Sequence, residues 1–168
     1  MRNVILAAVT LALVGVTAPS NAQQATTKEQ LAGSWKVLSL KATTGSNVVQ
    51  PLGEKVGGYV TITPDRIWLL FVDSTRKPPA SPALTDAEAV AMMKSQVAWT
   101  GKYVTAEQTP DGIKLTARVD AASSEAINNT DRVYFMRVDG TKLMVKGSVI
   151  VPMTGATSVV EFDLVRAD

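Results

Sequence analysis

The sequence predicts an all-β domain in which about eight short antiparallel strands enclose one core and a single short helix is inserted between two of them. Three observations carry that prediction. First, apolar and polar residues alternate with the period of a strand. Ile113, Leu115, Ala117 and Val119 form one face against Lys114, Thr116, Arg118 and Asp120, while Val160, Phe162 and Leu164 oppose Glu161, Asp163 and Val165. Second, turn signals at Pro64-Asp65, Pro110-Asp111-Gly112 and Asp139-Gly140 separate the apolar runs. Third, helix signals concentrate in residues 86–97. Such a chain closes as a sandwich or a barrel, and periodicity alone leaves both open.

In chain order, residues 1–22 come first. Arg2 precedes an apolar run over residues 4–16, and Ser20-Asn21-Ala22 supplies small residues at a cleavage site, the layout of a secretory signal peptide. The run is short against the roughly 20 residues a membrane span requires, so cleavage and release into the periplasm or medium are expected. Residues 23–168 are then one domain, of a size that buries roughly two-thirds of its unfolded surface. Thr27-Lys28-Glu29-Gln30 starts a short helical turn after a polar stretch.

A first strand over residues 35–41 sets Trp35, Val37 and Ser39 against Lys36, Leu38 and Leu40, and residues 42–53 read as a Thr- and Gly-rich loop. Residues 57–63 and 66–73 form a hairpin, and three prolines then make residues 74–82 irregular. Thr85 caps the helix with Glu88 completing a capping box. Val90, Met93 and Val97 recur at helical spacing, which predicts an amphipathic helix packed over one end of the sheet. Strands at 98–107, 113–120, 131–138, 143–151 and 160–165 complete the set, with a polar loop at 121–130.

Charge and composition narrow the function. The chain has 17 basic and 15 acidic residues, no basic excess that marks a nucleic-acid or anionic-membrane surface. It has no cysteine and no histidine, so thiol chemistry, the usual zinc sets and histidine-based nucleophilic triads are excluded. No phosphate-binding loop, dinucleotide fingerprint or nucleophile elbow is present, and no cofactor is expected.

Leu31-Ala32-Gly33-Ser34-Trp35 carries a G-x-W signature. With the Gly58-Tyr59 strand, the Thr63-Pro64-Asp65 turn, Ala98-Trp99-Thr100-Gly101-Lys102-Tyr103, Asp131-Arg132-Val133-Tyr134-Phe135 and the closing Leu164-Val165-Arg166, it resembles the bacterial and fungal lipocalin-like domain family. The resemblance implies an eight-stranded antiparallel up-and-down barrel of the calycin type with one inserted short helix. It also implies that Gly33, Trp35 and Arg166 close one end, with the guanidinium over the indole. Members of the family often carry histidines near the strand at 114–119, and this chain departs from that pattern.

Aromatic residues fall almost entirely on expected strands, so some must face the interior as packing or as pocket wall. Candidate ligand-binding residues are Tyr59, Trp68, Phe71, Trp99, Tyr103, Arg118, Arg132 and Tyr134. Arg118, Glu125, Asp131 and Arg132 bracket the polar loop and either hold a polar ligand head or form solvated rim pairs; Asp73 and Arg76 are a similar rim pair. The expected function is an exported protein binding a small hydrophobic or amphipathic molecule in the barrel. The alternatives are a cofactor-free isomerase, cyclase or hydrolase using the same cavity, and a packed-core envelope protein that binds another protein.

Overall fold

Hairpin after hairpin, the chain winds into one sheet that meets itself. The computed structural model describes residues 26–150 and 156–167. Along them run α1 (Lys28–Leu31), β1 (Gly33–Thr44), β2 (Asn47–Val49), β3 (Val56–Ile62), β4 (Arg66–Asp73) and α2 (Asp86–Lys94). Then come β5 (Gln96–Thr109), β6 (Gly112–Ala122), a 3₁₀ turn (Glu125–Ile127), β7 (Asp131–Asp139), β8 (Lys142–Ile150) and β9 (Thr157–Arg166). The order β1-β3-β4-β5-β6-β7-β8-β9 is closed by antiparallel pairing of β9 with β1, an eight-stranded up-and-down barrel. Closure removes the open edges and leaves an interior wide enough for side chains or one small ligand. The signal-peptide reading falls on residues 1–22, outside the described residues.

Strand alternation sets the interior. On β6, Ile113, Leu115, Ala117 and Val119 are buried, and on β9 so are Val160, Phe162 and Leu164. β1 departs from the simple alternation expected of it. A register shift between Val37 and Ser39 resets the pleat, so Leu40 and Ala42 turn inward and Leu38 outward. Ser39, placed on the Trp35 face by period-two reading, instead donates to Asp163 at 2.6 Å on the outside.

Two further expectations are corrected. Residues 42–53 are not all loop: β1 continues to Thr44 and β2 folds back beside it, pairing Ala42 with Val49. Both faces of β2 are exposed, so it carries no burial pattern that a sequence could advertise. The helix stops at Lys94, where Ser95 caps it, and Val97 joins β5. Its capping box forms as expected, Thr85 and Glu88 exchanging bonds, but no helical residue is buried, and Val90 and Met93 are half exposed. At nine residues the helix is too short to bury a stripe, and its last turn only borders the open end of the barrel through Met93 and Lys94.

One end of the barrel is shut by the segment leading into β1. Trp35 is fully buried and its indole N–H donates to the Leu31 carbonyl at 2.8 Å. The Arg166 guanidinium lies 4.2 Å from the indole centroid and donates to the carbonyls of Ala32 (3.0 Å) and Gln30 (2.8 Å). One cation thus stacks on the ring and satisfies carbonyls that α1 leaves unpaired. Thr26 adds a tie by accepting from the Val138 N–H at 3.0 Å. Leu31, Val37, Ile62, Ile67, Met136 and Leu143 fill the core around them.

Outer-face ion pairs tie strands together, one across β5 from β4 to β6 and one between the neighbours β6 and β7. Arg66 grips Asp120 with both nitrogens at 2.8 and 2.7 Å, and Arg118 holds Asp131 in the same two-pronged way. Hydrogen bonds from the arginines, then their charge, hold both carboxyls below the usual aspartate value. Stability from these pairs is therefore present above about pH 3.9, the unfolded value, and is lost as pH falls through the lower native values. The melting-temperature gap between the wild type and an Asp120→Asn/Asp131→Asn variant is expected to be small at neutral pH and to close in acid. A gap that persists unchanged to pH 2 would contradict this account.

Candidate functional site

The other end of the barrel is open. Leu52, Met93, Val97, Ile127 and Ile150, from the connections and strand ends there, surround a cavity of about 420 Å³ that reaches into the barrel. That volume lies within the roughly 300–1,000 Å³ usual for small-molecule sites. Its wall is aromatic. Phe71 and Phe162 meet edge to face at 5.4 Å, Trp99 and Tyr134 stack at 6.0 Å with planes 5° apart, and Tyr134 leans on Phe162 at 5.9 Å. Leu40 and Leu69 complete the apolar lining. Rings held by one another stay in place when the space between them is empty, so the cavity is pre-formed.

Register explains which candidates meet here. Phe71 on β4, Trp99 on β5, and Arg132 and Tyr134 on β7 all line the cavity. On β7 the residues alternate, so Asp131 turns out to Arg118 while Arg132, Tyr134 and Met136 turn in. Tyr59 and Trp68 are corrected to the outer face, half exposed on β3 and β4. Their inward neighbours Val60, Ile67 and Leu69 take the interior. Arg118 is also outside, because Ala117 and Val119 hold the inner positions of β6. Tyr103 is partly buried against the core, away from the cavity lining, and its shielded hydroxyl has no hydrogen-bond partner among the described residues. Burial, with the Asp65 charge, pushes that phenol above its ordinary range.

The four-residue polar cluster separates into two. Arg118 and Asp131 form an outer-face ion pair, and Glu125 accepts from the Asn128 amide on the 3₁₀ turn at 3.4 Å. Arg132 alone goes inside. It is 9 % exposed, and its side chain makes no hydrogen bond or ion pair among the described residues. Asp73 is occupied by Thr75, whose N–H and hydroxyl donate to it at 2.7 and 2.6 Å, and no ion pair with Arg76 forms. Burial pushes the Tyr134 phenol up to about 12, partly offset by the Arg132 charge, so it keeps its proton at neutral pH.

Leu40, Leu52 and Ile127 also line the cavity, and the sequence does not single them out as binding residues; Met93 joins them from the helix, whose methionines suit either packing or a pocket wall. Ile127, the lone large aliphatic in the polar stretch between β6 and β7, is the one that composition could flag. A larger groove of about 720 Å³ runs over the outer face of β7 to β9. Its charged groups face solvent and include the Lys146–Glu161 pair at 3.0 Å, so it lacks the dry wall of the interior site.

No curated protein and no solved structure matches this chain significantly. A family model, described as a lipocalin-like domain, matches residues 32–161. That span runs from the closing segment before Trp35 into β9 and so takes in every strand of the barrel. The chain belongs to the lipocalin-like domain family.

Proposed function

We propose that this protein is exported and binds one small hydrophobic or amphipathic molecule in the open end of its barrel. The observation that carries the reading is the aromatic-walled cavity of about 420 Å³, with a packed, capped end opposite. An interior filled by side chains would have favoured a purely structural or protein-binding role. The lining offers a phenol and two basic side chains, Arg132 and Lys94, and no carboxylate among its described residues. That balance favours holding a ligand over carboxylate acid–base chemistry on it. The signal-peptide pattern of residues 1–22 supports export.

Expressed as the full chain in a bacterium, the protein is expected in the periplasm as a species starting at Gln23. Native mass spectrometry of that species is expected to show a small molecule released on denaturation. With the hydrophobic dye N-phenyl-1-naphthylamine at about 100 times its Kd, the melting temperature should rise by roughly 5–10 °C. Ala42, buried in the cavity wall, gives the control. Ala42→Phe fills the space and is expected to weaken dye binding at least ~10-fold. Absence of a co-purified molecule, together with no melting shift from any apolar probe, would overturn the binding reading.

A further inference from the structure

We infer that the ligand is an amphipathic anion, a single carboxylate or equivalent acidic head on an apolar tail, with the head seated on Arg132. The inference rests on the ligand-binding reading above and names the chemical class that the site selects. A guanidinium is a planar fork of five donors, and burial without an acceptor leaves those donors and the charge uncompensated. Arg132 is a buried residue, and it meets that condition at its Nε. Its Nε is sealed from solvent with no partner, and neither backbone carbonyl nor side chain among the described residues accepts from its other nitrogens.

The nearest acid in sequence, Asp131, is committed to Arg118 on the opposite face of the sheet. The remaining ionisable groups of the lining, Lys94 at the rim and the phenol of Tyr134, supply no negative charge at neutral pH. The cavity is thus a largely apolar chamber whose wall holds the guanidinium of Arg132, sealed at Nε and without an acceptor among the described residues. An acidic head supplies the missing acceptor, and charge-assisted two-pronged bonding is the geometry that arginine favours. Tyr134 stands two residues along the same strand face, and its hydroxyl makes no hydrogen bond among the described residues. It is a second donor for the same head. The tail then lies along Phe71, Trp99 and Phe162.

The test is calorimetry on the mature protein, stripped of ligand, with dodecanoate, dodecane sulfonate and dodecanol. Dodecanoate is expected to bind at least ~10-fold more tightly than dodecanol. A site tuned to any anionic head accepts the sulfonate equally, whereas one tuned to a carboxylate ranks it lower. Arg132→Gln is expected to erase the preference, bringing dodecanoate to within about 3-fold of dodecanol in the same variant, less than the tenfold that 1.4 kcal/mol represents. Arg132→Met removes the unpaired charge and is expected to melt at or above the wild-type temperature without ligand, and to gain least from dodecanoate. Equal binding of dodecanoate and dodecanol by wild type, or a preference that survives Arg132→Gln, overturns the anionic assignment and leaves the cavity reading intact. Failure of all three probes to bind overturns both.

Discussion

Trp35→Ala is expected to reduce folding stability by about 3–5 kcal/mol, the range for emptying a fully buried tryptophan site. In a chain of this size that lowers the melting temperature by roughly 10 °C. Three losses combine in one substitution. The core loses its largest buried side chain, the Leu31 carbonyl loses its indole donor, and the Arg166 guanidinium loses the ring it lies on. Arg166 also ties down the Gln30 and Ala32 carbonyls, so the disturbance spreads along the segment that shuts the barrel. Trp35→Phe keeps much of the volume but lacks the N–H, and about 1–3 kcal/mol is expected from the orphaned carbonyl and lost contacts. Arg166→Lys removes the fork and with it simultaneous contact to two carbonyls. Urea and thermal unfolding measure all three. A Trp35→Ala protein melting within about 2 °C of wild type would contradict the assignment of Trp35 as the centre of the closed end.

Because the closed end and the cavity lie at opposite ends of the barrel, these variants separate stability from binding. Trp35→Phe is expected to lower the melting temperature while leaving affinity for an apolar probe unchanged. Coupling can travel through the strands, but no cavity-lining residue touches Trp35 through a hydrogen bond or ring contact among those described.

The parts of the fold legible in sequence are those where one strand face meets water and the other meets the core. β6 and β9 are of that kind, and their inward residues follow directly from alternation. The same alternation sets Arg118 opposite the apolar face of β6, which is where it lies. β4 gives no such signal, because Ile67, Trp68, Leu69, Leu70 and Phe71 are apolar on both faces. Only the register with β3 and β5 turns Phe71 in and Trp68 out. β7 is ambiguous for the opposite reason, since each face mixes charge with apolar residues. The inward turn of Arg132 is therefore not legible in the sequence of β7, whereas the outward turn of Arg118 is legible in that of β6. Leu40 enters the cavity through a local register shift, which period-two reading has no means to foresee. The closing contact of Trp35 with Arg166 is legible only through family resemblance, since the two residues are far apart in sequence.

Gly58→Ala is the second substitution expected to do serious damage, and it acts on the wall of the cavity itself. Gly58 has φ +127, outside the range that side-chain-bearing residues readily adopt, and a Cβ there would stand 1.9 Å from the Leu70 carbonyl oxygen. The obstacle is backbone, so it cannot swing aside as a flexible side chain would. The conformational penalty is about 1–3 kcal/mol and the forced separation of β3 from β4 adds about 1–3 more. Gly45→Ala supplies a positive-φ reference free of any clash, because Gly45 has φ +59, in the milder left-handed helical region, and a methyl group added there meets nothing within 4 Å. It is expected to cost only about 1–2 kcal/mol. Gly58 sits directly across from Phe71 in the β3–β4 register, so moving the strands apart shifts an aromatic wall of the cavity. Gly58→Ala is therefore expected to weaken binding of N-phenyl-1-naphthylamine as well as to lower the melting temperature, while Gly45→Ala leaves binding untouched. Equal stability losses at the two glycines would overturn the close-approach argument, and unchanged binding in Gly58→Ala would uncouple that approach from the cavity wall.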